Sequence, residues 1–152
     1  MRLRAAAVAV AATTAVVPAA APPAHAAWAD LLIVTGAGTI SPGLTEVPRA
    51  QSISFSGAAT AIGSDGIPAT WACAWSATGL NDTVAAGFGS ASGSCGPVSF
   101  SSCQWTREGT DVQIFCVDPS GKALHGRFVF QPGNVNPITR FTLAGTAVAS
   151  GV

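Results

Sequence analysis

All four cysteines of the chain lie within residues 70–116, three of them in stretches where every second residue is apolar, and this confines the fold to disulfide-tied β-strands. The run TWACAW puts Trp71, Cys73 and Trp75 on one side of an extended strand, because successive side chains alternate between faces. Cys103 and Trp105, then Val112, Ile114 and Cys116, repeat the pattern on either side of the turn Glu108-Gly109-Thr110-Asp111. Residues that face each other across a hairpin keep a constant sum, so this turn sets Arg107 opposite Val112, Trp105 opposite Ile114 and Cys103 opposite Cys116. That register favours Cys103–Cys116 together with Cys73–Cys95, and leaves the nested alternative, Cys73–Cys116 with Cys95–Cys103, open. No two cysteines stand two to four residues apart as zinc knuckles require, so no metal site is expected.

The first 26 residues read as an export signal. Arg2 and Arg4 form a positive start, residues 5–17 are small and apolar, prolines follow, and Ala24-His25-Ala26 is an A-x-A cleavage site. The apolar run is too short to span a bilayer, and Gly, Ser, Thr or Pro interrupts every later one, so no transmembrane anchor is expected. Residues 27–152 then form a single secreted domain in an oxidising, extracellular setting where cysteines pair. That domain carries five basic against seven acidic side chains, a formal charge of −2, with no basic cluster. Nucleic acid and anionic membranes are poor partners for such a surface.

The rest of the chain repeats the β pattern. In residues 51–62, Ile53 and Phe55 share one face while Ser52, Ser54 and Ser56 take the other, as in a half-buried antiparallel strand. GSDGIP at 63–68, DPSG at 118–121 and PGNVNP at 132–137 are turns. The glycine-serine run after Val84 predicts a bulged or edge strand, and residues 112–117, apolar on both faces, predict a central one. Gly36 and Gly38 do not form G-x-G-x-x-G, and a turn, not a helix, follows them, so no dinucleotide site is implied. Eight or nine short strands with turns about every ten residues, and no helix after residue 26, predict an all-β antiparallel β-sandwich, immunoglobulin-like or Greek-key. Trp71, Trp75 and Trp105 would fill the space between its sheets.

Catalytic equipment is scarce. His125 is the one histidine after residue 26, no G-x-S-x-G elbow accompanies it, and a glycosidase pair would have to come from Glu46, Glu108 or aspartates that sit beside turn formers. Asp65, Asp82, Asp111 and Asp118 read as turn residues, one per loop, without the spacing of a calcium loop. Asn81-Asp82-Thr83 has the form of an N-glycan acceptor and equally that of a β-turn. The reading is a protein without catalytic residues or cofactor, whose partner is an extracellular protein, a glycan or a small apolar molecule.

The runs GTISPGL, WACAWSATG, GSASGSCGPVSF and RFTLAGT resemble those of small uncharacterised secreted β-rich proteins of actinobacteria, a resemblance that implies a host and a β fold and carries over no functional residue. In size, export, β content and cysteine number the chain also resembles, as a class, the neocarzinostatin-like apoproteins. That resemblance implies an immunoglobulin-like sandwich holding an apolar molecule in a cleft. The favoured expectation is a non-enzymatic extracellular surface or binding module with a closed core. The alternative is a carrier for a small apolar metabolite, and a secreted hydrolase or hydrolase inhibitor ranks below both. Module and carrier differ in whether Trp71, Trp75 and Trp105 fill a void or line one.

Overall fold

The turns at 63–68, 108–111, 118–121 and 132–137 each reverse the chain onto its predecessor, whereas the turn expected after Gly38 lies within the first strand, and the result is eight antiparallel strands in simple succession. They are β1 (Trp28–Leu44), β2 (Arg49–Ile62), β3 (Pro68–Asp82), β4 (Ala86–Cys95), β5 (Val98–Glu108), β6 (Asp111–Val117), β7 (Ala123–Pro132) and β8 (Ile138–Gly151). The structure, a computed structural model, describes residues 28–151; the export signal and its cleavage site lie outside the described residues.

Every strand pairs with the next, and β8 pairs with β1 from Trp28↔Gly151 to Leu44↔Ile138, closing the sheet into a barrel. The expected two-sheet sandwich is therefore corrected, and with it the immunoglobulin-like or Greek-key connection. Period-two alternation is common to both architectures. What separates them is the fate of the first and last strands, whose unpaired backbone groups satisfy one another here instead of standing as edges.

The barrel wall sorts side chains by parity. Leu32, Val34, Cys73, Phe128 and Phe130 point inward and are buried, while Ser52, Ser54, Ser56, Ser76, Thr78, Ser90 and Ser92 point outward. Eight strands enclose an interior about wide enough for side chains to fill or for one small ligand. Large rings are accommodated by glycines on the facing strand: a Cβ on Gly36 would stand 2.6 Å from Phe55 Cζ, and one on Gly93 would stand 2.6 Å from Trp75 Cγ. At one end Ile40, Leu44, Phe130, Ile138 and Phe141 form a separate apolar cluster, with the Phe130 and Phe141 rings stacked 5.2 Å apart.

Closure decides one further expectation and changes another. Of the two readings of the glycine-serine strand, bulged or edge, the first holds: the strand is β4, held between β3 and β5, with a register shift between Ala91 and Gly93. β6 is not buried on both faces, because a single-walled barrel gives each strand one inner side: Phe115 and Val117 are 53% and 70% exposed.

Cys73–Cys95 joins β3 to β4 and Cys103–Cys116 joins β5 to β6, each between directly opposed residues with Cα atoms 4.1 Å apart. All four cysteines face the interior.

Candidate functional site

Inward-facing apolar side chains leave a cavity of about 130 Å³ inside the barrel. Val34, Ile53, Phe55, Ile114, Phe128 and Leu143 form much of its wall, and Phe130 and Phe141 approach it from the end of the barrel that carries the β1–β2, β3–β4, β5–β6 and β7–β8 turns. An engineered cavity of about 150 Å³ takes up benzene, whereas drug-sized ligands need roughly 300 Å³ or more. The cavity thus matches a molecule of about one ring.

The three tryptophans singled out by the sequence separate. Trp75 and Trp105 line the cavity. Trp71 lies toward the other end of β3, over the β4–β5 turn, where a Cβ on Gly96 would stand 2.5 Å from its Cγ; that close approach, together with a φ of +54°, requires glycine at 96. Trp105 is also held by a hydrogen bond, its Nε1 donating to the Thr78 carbonyl at 3.2 Å.

Sequence reasoning missed the polar part of this wall. Among the described residues the buried polar side chains are Gln51, Asp82 and Arg107, at 3%, 1% and 5% exposure, and the last two line the cavity. Gln51 is satisfied: its Oε1 accepts from the Gly43 N–H and its Nε2 donates to the Gly43 carbonyl, both at 2.8 Å. Arg107 is satisfied as well. Nη1 donates to the carbonyls of Val84 at 3.1 Å and Gly109 at 3.0 Å, Nη2 donates to that of Thr83, and the guanidinium carbon sits 5.1 Å from the centroid of the Phe130 ring. The side chain therefore ties the β3–β4 turn to the β5–β6 turn from within.

Asp82 is different, and its expected role as a turn residue is corrected. Opposite the two-residue step from Gln51 to Arg49, β3 takes three residues, from Gly79 to Asp82. Leu80 and Asn81 both face outward, and the bulge turns Asp82 back inside. Its carboxylate occupies the space that Gly79 and Gly87 leave by having no side chain; a Cβ on either would overlap it. Oδ1 accepts from the Phe88 N–H at 3.2 Å, and Oδ2 has no hydrogen-bond partner among the described residues. Burial pushes the Asp82 carboxyl above its ordinary range, an effect opposed by the Arg107 charge and the Phe88 N–H. Burial likewise pulls Arg107 down, opposed by Asp82.

Parity carried a signal for Arg107, since it shares the face of Cys103 and Trp105 along β5. None existed for Asp82, whose orientation depends on the bulge. His125 stands outside, stacked on Phe115 with ring centroids 4.3 Å apart, and does not reach the cavity. No protein-family model matches this chain, and no curated protein or solved structure is significantly similar to it.

Proposed function

We propose that this barrel is a non-enzymatic carrier or sequestering module for a small apolar molecule of about one ring, acting outside the cell. The observation that carries the reading is the apolar cavity inside a closed, disulfide-tied barrel, with Trp75 and Trp105 on its wall. It moves the preference away from a surface module with a filled core. The extracellular setting comes from the export signal, and the intact mass of protein recovered from culture medium tests it: loss of residues 1–26 is the expected result.

Magnitudes limit what the apolar wall alone achieves. Burying roughly 150 Å² of one ring at about 25 cal/mol per Å² yields about 4 kcal/mol, which corresponds to about millimolar affinity. Plain hydrocarbons should therefore bind weakly, and shape fit or a polar contact must supply anything tighter.

The test is a titration of the oxidised protein with toluene, followed by tryptophan emission and by the melting midpoint. Saturable quenching with a raised midpoint is expected. Ala147→Leu, which extends a side chain into the cavity, should abolish the response. An emission signal unchanged up to the solubility of toluene would return the protein to the surface-module reading.

A further inference from the structure

We infer that the molecule held in this cavity is an uncharged single-ring phenol or alcohol whose hydroxyl donates a hydrogen bond to Asp82 Oδ2. The inference rests on the carrier reading and adds the chemical class of the ligand.

Three observations converge on it. Asp82 is 1% exposed and lines the cavity, yet Oδ2 has no partner among the described residues. A buried, unsatisfied polar atom is costly and rare in folded proteins, and here the fold makes room for it: a bulge in β3 turns the side chain inward, and glycines at 79 and 87 leave the space it occupies. The nearest cation does not quench it. Arg107 gives its Nη donors to the Thr83, Val84 and Gly109 carbonyls, so the ion pairs among the described residues do not include Asp82. The result is an apolar, ring-sized space beside one unused acceptor, which is covered in this structure and which a hydroxyl reaches as the Asp82 carboxylate turns toward the space.

That acceptor selects for a donor, and an ionised carboxylate can only accept. A carboxylate ligand would be repelled. An ammonium would have to shed its water in an apolar space while the Arg107 charge stands close enough to act on Asp82. A neutral hydroxyl avoids both costs, and bonds to a charged acceptor are among the stronger ones.

Calorimetric titration of the wild-type protein with toluene, phenol, anisole and benzylammonium tests the inference without relying on any variant. Phenol should bind at least about tenfold more tightly than toluene or anisole, and benzylammonium should not exceed it. In Asp82→Leu the phenol preference should fall to within about twofold, and Asp82→Asn, which keeps the shape and loses the charge, should lie between. If toluene, anisole and phenol bind alike, the inference is overturned while the carrier reading stands. Anisole matching phenol, benzylammonium binding most tightly, or a preference that survives in a folded Asp82→Leu protein would each also overturn it. Absence of binding by every ring compound overturns the inference and the carrier reading together, so the two failures are distinguishable.

Discussion

Trp105 of β5 donates its indole N–H to the carbonyl oxygen of Thr78 in β3, 3.2 Å away, reaching past the strand that lies between them. The crossing passes β4 where it is reduced to glycine: Gly89 is the register partner of Trp105, and a Cβ on Gly87 would stand 3.1 Å from Trp105 Cη2. A single side chain thus links three strands and forms part of the cavity wall.

Trp105→Phe keeps a ring on the wall and removes the donor to Thr78, which should cost roughly 1 to 3 kcal/mol in urea denaturation. Trp105→Ala should cost about 3 to 5 kcal/mol, because it also opens a void. Equal losses in the two variants would mean that the hydrogen bond, and not the packing, dominates.

The fit of Asp82 between two glycines predicts energetic coupling. The three atoms nearest to a Cβ on Gly79 all belong to the Asp82 carboxylate, so Gly79→Ala should destabilise the wild type. It should do so much less in an Asp82→Ala background. A double-mutant cycle on the melting midpoints, converted to free energy, should give a coupling on the order of 1 to 3 kcal/mol. Additive effects would show that the carboxylate does not occupy the space the glycines leave.

These two sites mark how far the sequence could be read. Alternation through Trp71, Cys73 and Trp75 and through Cys103 and Trp105 places those side chains on the inner face, and the turn at Glu108 to Asp111 fixes the register that opposes Cys103 and Cys116. Local pattern reaches no further than neighbouring strands. Whether β1 meets β8 is a relation between residues more than a hundred positions apart, such as Leu32 and Ala147, and no period in either segment records it. Asp82 was lost for a smaller reason. One additional residue in β3 inverts the parity, so an acidic residue beside turn formers, with every attribute of an exposed turn, finishes inside.

Burial of Asp82 also predicts a pH signature. Its folded-state carboxyl is raised above the ordinary value of 3.8, so the folded protein holds that proton more tightly than the unfolded chain. Stability from this group is then fully present below pH 3.8 and is lost as pH rises through the raised value. Asp111 and Asp118 act in the opposite sense, held below the ordinary range chiefly by hydrogen bonds from the Arg127 side chain and from Ser120 respectively, and their contribution falls away in acid. Comparing Asp82→Asn with wild type cancels these shared terms. The variant should gain melting temperature over wild type as pH rises from acid to neutral, and a difference that stays flat across that range would remove the desolvated carboxylate from the account.

The two disulfides should be alike in stability and unlike in their effect on the cavity. Their sequence separations are 22 and 13 residues, and on the chain-entropy model each contributes about 3 kcal/mol, the longer loop only a few tenths more. Cys95 lines the cavity, whereas Cys103 and Cys116 do not. Replacing Cys73 and Cys95 by alanine removes two sulfur atoms at or beside the wall, so besides lowering the denaturation midpoint it should widen the space and improve binding of a two-ring compound such as naphthalene relative to toluene. The matching change at Cys103 and Cys116 should lower the midpoint by a similar amount and leave that ratio unchanged. Ligand titrations of both variants under conditions where each remains folded decide it, and an equal shift in size preference would mean that the ring compounds do not occupy the space beside Cys95.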